Sequence, residues 1–408
     1  MKNLKILQVS YSKSGGAGVV ASNLSQGLND HSKYKSEFCY YTESNVKNKP
    51  FENIILTSRV GFDNYVIKNS DWPSLFSYLR NINYDKVTNR LLKFEGILHL
   101  HWINGLFDLS KIIEIQKHNK RIVWTMHDME PFTGGCHNSI NCSKFEQSCL
   151  ECPAVRKFFQ RKISNNKKKK DYYFSLLSNL NIVFPSKWLM SKFNASSQNA
   201  SLNIRSIPNP ISNIFFDNSP TVKSLNREPS EEFVLGFISS DLNDPLKQFK
   251  STLETIELFS HLLHIPVKLI AVGSKYKKVP QKINFKLFQP GLIRDKKELK
   301  KLYSKMDVVI SNSFSESFGL TIAESNAVGV PCLVLKGSGS EELIVDKITG
   351  LLYNNQIELI KNLLLLANSV PLRKSMGQNA ITHAQKNWSL KKVLGQYEEL
   401  YDEITLNS

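Results

Sequence analysis

Two glutamates with seven residues between them, Glu316 and Glu324, frame the run Ser317-Phe318-Gly319-Leu320-Thr321-Ile322-Ala323, and Gly329-Val330-Pro331 follows. The apolar Val308–Ile310 before them reads as a buried strand. Gly319 opens a helical pattern that Gly329 and Pro331 close. A helix starting there leaves the N–H groups of Phe318 to Thr321 without intrahelical partners, which makes its tip an anion site. Glu316 in the loop and Glu324 about one and a half turns inside can accept hydrogen bonds from hydroxyls. Carboxylates beside an anion site suit a ligand that is hydroxylated at both ends and charged between them, a nucleotide diphosphate sugar. The competing reading is that both are ordinary helix-start and surface charges.

Such a tip needs a parallel sheet behind it. The first half of the chain alternates strand-like runs (Lys5–Val9, Glu37–Tyr41, Gly96–Trp102, Arg121–His127, Asn181–Pro185) with helical patterns such as Val19–Leu28 and Leu109–His118. This is a βαβ rhythm. It breaks at Ile207-Pro208-Asn209-Pro210-Ile211 and the Pro/Ser/Asn-rich stretch to about Ser230. It restarts with Phe233–Ile238, Val267–Val272, Asn284–Phe288, Asp307–Ser311 and Val330–Leu335. The expected architecture is α/β, two Rossmann-like doubly wound parallel-sheet domains facing a central cleft. An acceptor-side domain spans 1–208 and a nucleotide-sugar domain 209–387. A helix over 388–408 packs on either one, with a return to the first domain as one option.

The ordered set of motifs resembles the retaining glycosyltransferase family 4, of the GT-B fold. The motifs are Ser14-Gly15-Gly16-Ala17-Gly18, His127 ending a strand, Phe184-Pro185-Ser186-Lys187-Trp188, the hinge at 207–211, and Asp307–Ser313 running into the Glu316/Glu324 signature. The resemblance implies that Glu316 holds donor-sugar hydroxyls and that the backbone at Phe318, Gly319 and Leu320 meets the sugar or its phosphate. Glu324 would bind the ribose. Gly291-Leu292-Ile293 would read the base through backbone atoms, Gly16 would approach the diphosphate, and His127 would line the reaction centre. It also implies anomeric retention, with a glycan or polyprenyl-linked acceptor and a role in bacterial surface polysaccharide or glycoconjugate synthesis. The expected donor is a UDP-sugar. An epimerase of the same fold and a non-catalytic glycan- or protein-binding relative are the rival functions.

One stretch departs from the family pattern. Members carry Arg and then Lys-Gly after the first strand of the second domain; here Ser239-Ser240 occupies the Arg position, Lys247 is kept, and Gln248 replaces the Gly. A hydroxyl donates to phosphate without adding charge, so Lys247 and the helix tip must supply more of the neutralisation. No Asp-X-Asp occurs in the sequence, so transfer without a metal cofactor is expected.

Four of the six cysteines, Cys136, Cys142, Cys149 and Cys152, fall within 17 positions. Their spacing suits a structural zinc site stapling a loop, with His137 able to replace one thiol. Some members of the family resemble this stretch, from His127-Asp128-Met129 through Gly134-Gly135-Cys136 to Cys152-Pro153. Next comes a basic segment, 156–170, with eight cations and no acid. On a helix it would form a basic amphipathic surface for an anionic membrane; a solvated basic loop is the alternative. Net charge is +17. With no nucleic-acid-binding signature beside the charge, a nucleic-acid partner is not expected. His99 and His101 alternate with apolar residues in a strand and read as packed or hydrogen-bonded side chains. No apolar run is long enough to span a bilayer. Met1–Leu7 leads directly into a strand pattern, so a cytoplasmic protein is expected, peripheral at the inner face of the membrane.

Overall fold

A computed structural model of the chain describes residues 5–40, 66–67, 85–118, 120–196, 201–217 and 232–406. The chain forms two compact units, Met1–Pro210 together with Val393–Ser408, and Ile211–Lys392.

The first unit holds six parallel strands in the order β2-β1-β3-β4-β5-β6. They are β1 Lys5–Ser10, β2 Lys35–Tyr40, β3 Gly96–Leu100, β4 Arg121–Thr125, β5 Asn181–Phe184 and β6 Asn203–Ser206. Its helices are α1 Gly15–His31, α2 Asp85–Lys93, α3 Leu109–Lys117, α4 Gln160–Leu176 and α5 Lys187–Ser196. Gly18 lets α1 approach its preceding loop, because a Cβ there would stand 2.3 Å from the Ser12 carbonyl oxygen.

The second unit has β7 Phe233–Ile238, β8 Val267–Val272, β9 Lys286–Gly291, β10 Val308–Ser311, β11 Cys332–Leu335 and β12 Gly350–Tyr353, all parallel, in the order β12-β11-β10-β7-β8-β9. Its helices are α6 Phe249–Ser260, α7 Lys296–Tyr303, α8 Leu320–Val328, α9 Gln356–Ala367 and α10 Val370–Trp388, and α11 Leu390–Leu406 ends the chain. Strand runs such as Phe-Val-Leu-Gly-Phe-Ile are apolar throughout because helices cover both sheet faces. Leu235, Leu269 and Val308 pack with Leu253 and Ile256 of α6 and Leu359 and Leu363 of α9. Their neighbours Val234, Ile270 and Val309 pack with Ile322 and Ala327 of α8 and Trp388 of α10. The strand order reverses direction between β7 and β10, so a crevice forms at the carboxyl ends of these two strands.

Two edge strands, β6 and β12, do not stand out in the sequence, being four residues each. β9 runs to Gly291, past the expected end at Phe288. The unit boundaries fall at 210/211 and 392/393, close to the expected 208/209 and 387/388. Residues 218–231 of the Pro/Ser/Asn-rich stretch lie outside the described residues.

The basic segment requires a correction. It is helical from Gln160, yet its lysine run is not one surface: Lys167 and Lys170 are buried. Lys167 pairs with Asp171 and donates to the Ser196 carbonyl at 3.1 Å. Lys170 reaches the Glu130 carboxylate at 2.6 Å. Helical periodicity turns two of four consecutive lysines inward, where they serve structure.

Candidate active site

In the second unit, two loops emerge side by side at the reversal point. The loop after β7 contains a short 3-10 turn, Pro245–Lys247, capped by the Asp244 carboxylate accepting from Leu246 N–H at 2.9 Å. The loop after β10 runs from Asn312 to Gly319. They are stitched together: Phe314 N–H donates to the Leu246 carbonyl at 3.0 Å, and the Gln248 side-chain amide donates to the Asn312 carbonyl at 2.8 Å. Asn312 is in turn held by the Tyr353 hydroxyl at 3.0 Å and donates to Thr252 at 3.2 Å.

This stitching brings Lys247 onto Glu316, whose carboxylate Oε1 accepts from the ammonium; the pair is about a quarter exposed. Burial disfavours the lysine charge, but Glu316 and, more weakly, Asp244 outweigh it and hold the ammonium above its ordinary pKa. Behind Glu316, Gly339 N–H donates to its carbonyl at 2.7 Å.

Gly319 caps α8 with φ +96°, a left-handed conformation that L side chains rarely adopt, and a Cβ there would press on Ile322 and Ser340. Leu320 and Thr321 open the first turn, where N–H groups have no partner within the helix. Glu324 is partly exposed beside the tip. Burial pushes its carboxyl up to about 7, against the smaller opposing pulls of the Tyr303 hydroxyl at 3.2 Å and Lys296. A raised carboxyl contributes stability below its ordinary 4.5 and loses it as pH climbs through about 7. Thermal melts of the wild type should therefore lose stability across that window, and Glu324→Gln should flatten the profile.

After β7, where the sequence resemblance leads one to expect Arg, Ser239 is buried and its hydroxyl donates to the Asp241 carbonyl at 2.9 Å. Ser240 is exposed. Of the two, Ser240 is the hydroxyl open to a ligand. Gly291 ends β9 with φ +91° and open space beside it, and Ile293 packs with the Phe318 and Ile322 cluster.

Gln248 holds the two loops of the site together, a role that its place in the sequence does not announce. It sits at φ +53°, a left-handed conformation that favours glycine, and offsets that cost with its tie to Asn312. Gln248→Ala keeps the strain and loses the tie, so it should destabilise the second unit by about 1–2 kcal/mol. Gln248→Gly should cost less, and denaturant titration of both would show the difference.

In the first unit, Gly16 is exposed at the start of α1, beside Gly15 at φ +78°. His127 follows β4 and belongs to a buried chain of hydrogen bonds. Gln8 Oε1 lies 2.6 Å from His101 Nε2, and His101 Nδ1 lies 3.0 Å from His127 Nε2. The amide oxygen can only accept, so His101 donates from Nε2 and accepts at Nδ1 from the His127 Nε2–H. His99 lies 2.7 Å from the Tyr401 hydroxyl and 2.8 Å from Thr125, which meets Tyr397 at 3.0 Å. Burial lowers the pKa of His99 to about 3 and of His127 to about 4, so these rings are neutral at pH 7. Asp128, next to His127, holds the buried His137 through its Nδ1 at 2.7 Å.

The Cys136 thiol and Cys152 interact directly. Cys152 is drawn down to about 7, first by Cys136 and helped by the Ala154 and Val155 N–H groups. Burial pushes Cys149 up to about 11. Among the described residues no three His, Cys, Asp or Glu side chains form a group that could hold a metal ion. Among the described residues no helix is long and apolar enough to cross a membrane.

Residues 226–383 match the family model described as glycosyl transferases group 1. A D-inositol 3-phosphate glycosyltransferase of Corynebacterium efficiens is 32% identical over 28% of this chain and 27% of its own length. A provisionally assigned colanic acid biosynthesis glycosyl transferase of Escherichia coli K12 is 22% identical over 61% of this chain and 60% of its own. The chain thus spans between about a quarter and three-fifths of these curated relatives. Among solved structures, HepE of Anabaena in complex with UDP-glucose superposes with a TM-score of 0.65 at 15% identity, covering 98% of this chain and 100% of that one. The chain has the GT-B fold of two parallel-sheet α/β domains, and its match to the glycosyl transferases group 1 model falls within the second of them.

Proposed function

We propose that this protein is a retaining glycosyltransferase of family 4. It would take a sugar from a nucleotide diphosphate donor, a UDP-sugar by analogy with the UDP-glucose of the HepE complex, to a glycan or polyprenyl-linked acceptor. The observation that carries this reading is the Lys247–Glu316 pair beside the α8 tip, inside the group 1 domain. The helix N-terminus and Lys247 would stabilise charge on the departing diphosphate, and Glu316 would grip sugar hydroxyls. Attack comes from the leaving-group face. The bond from the anomeric carbon to the phosphate oxygen breaks, the bond to the acceptor oxygen forms, and the acceptor proton passes to the phosphate. Catalysis is positioning plus charge stabilisation, with no covalent sugar adduct. The absence of Asp-X-Asp supports diphosphate binding without a divalent metal.

Thermal shift across a panel of nucleotide sugars tests donor binding, because a ligand specific for the native state raises the melting temperature. Transfer assays in the presence of chelator test turnover and metal independence. A wild type stabilised by no nucleotide sugar overturns the reading.

A structural zinc ion is proposed separately for the cysteine loop. It would have to draw Cys142 and Cys149 toward the Cys136–Cys152 pair, and the backbone N–H groups on Cys152 would suit a ligating thiolate. Metal analysis of the purified protein should return one zinc per chain, and none would remove the proposal.

A further inference from the structure

The folding of α4 sorts a basic sequence into an inner and an outer set. Lys167 and Lys170 go inward, whereas Arg161, Lys162, Lys168 and Lys169 stay exposed. Along the outer face Phe158, Lys162, Asn165, Lys169, Tyr172 and Leu176 recur at spacings of four and three, so they form one continuous stripe. Its apolar members are bare: Phe158 is 78% exposed, Tyr172 61% and Leu176 49%. The cations lean on the rings, Lys162 Nζ lying 5.5 Å from the Phe158 centroid and Lys169 Nζ 5.4 Å from that of Tyr173.

Residues 152–170 contain no acid. The first carboxylate after them, Asp171, is paired with the buried Lys167. Past Leu176, a cavity of about 850 Å³ is lined by Lys117, Lys120 and Arg121, together with Arg205 and its partner Glu403 at 2.7 Å. Exposed aromatic tips alternating with cations that, among the described residues, pair with no carboxylate match an interfacial helix, whose partner is an anionic lipid surface.

We propose that this face of α4 seats the first unit on an anionic phospholipid bilayer. Phe158, Tyr172 and Leu176 enter the headgroup layer, and the exposed cations meet lipid phosphates. The inference deepens the functional reading, on which it rests for its purpose, since a polyprenyl-linked acceptor is presented at such a surface.

The test is co-sedimentation of the full chain with phosphatidylcholine vesicles, with and without phosphatidylglycerol. The wild type should pellet with the anionic vesicles only, and less so as salt rises. The triple variant Lys162→Gln, Lys168→Gln, Lys169→Gln should bind about a hundredfold more weakly. Phe158→Ser should weaken binding severalfold without changing the salt dependence. Lys250→Gln, an exposed lysine in the second unit, should leave binding unchanged. Equal partition of the wild type and the triple variant overturns the proposal. So does wild-type binding to single-stranded RNA with none to anionic vesicles. A parallel UDP thermal shift separates the two readings: lost vesicle binding with intact UDP stabilisation sinks only this one.

Discussion

Glu316→Gln should lower kcat/KM by about 10²–10³-fold, and Lys247→Met by a similar factor, while the double variant loses little more than either single one. The reason is the shared job of the pair. Lys247 donates to Glu316, so each fixes the other at the place where a donor's sugar and diphosphate would meet. Removing the carboxylate leaves the ammonium free to swing, and removing the ammonium leaves an acceptor-only group near a developing negative charge. Two independent contributors would multiply their losses; a unit does not. Stability separates this from unfolding. The pair is about a quarter exposed, and ion pairs open to solvent are worth about 1 kcal/mol or less, so melting temperatures should shift little. The swapped variant Lys247→Glu, Glu316→Lys should keep the ion pair and the fold and remain inactive. Steady-state kinetics on the singles and the double decide it, and additive losses would show that the two residues act separately.

The sequence discloses the sheets and the α8 tip readily because parallel strands are apolar on both faces and because Gly319 and Gly329 mark a helix at both ends. Both glycines adopt the left-handed conformation as caps. Edge strand β6 is short and partly solvated, and β12 is a mostly buried run of only four residues that opens on glycine, so neither carries much signal. The candidate site is legible only in part. Glu316 and Lys247 are 69 positions apart, and what joins them is a set of side-chain bonds through Gln248, Asn312 and Tyr353. No local pattern announces such bonds. The one trace is Gln248 itself, a non-glycine in a glycine position, and its meaning appears only with the Asn312 contact. The histidine chain is similar. Its members share the strand ends of β3 and β4, yet Gln8 from β1 and the tyrosines of α11 enter from distant sequence. The lysine run misleads for a related reason: composition reports charge, and burial depends on which way each turn of helix faces.

Lys170→Met should destabilise the first unit by about 3–5 kcal/mol, whereas Lys168→Met, two residues earlier, should fall within about 0.5 kcal/mol of wild type. Lys170 and Glu130 are each nine-tenths buried, and the ammonium bonds both the Glu130 carboxylate at 2.6 Å and its carbonyl. Deleting the cation strands a carboxylate away from water with nothing to neutralise it, which costs far more than the intact pair contributes. The double variant Lys170→Met, Glu130→Gln removes both charges and should recover most of the loss. The damage from the single change should also spread. Glu130 N–H donates to Asp128 Oδ1 at 2.9 Å, and the Asp128 carboxylate holds His137. Loosening Glu130 therefore loosens the segment that carries His127, and activity should fall even at temperatures where the chain stays folded. Hydrogen exchange on the single and double variants would map this. Wild-type protection around Met126–Phe132 in Lys170→Met would mean that the Lys170–Glu130 pair is dispensable to the segment that carries His127.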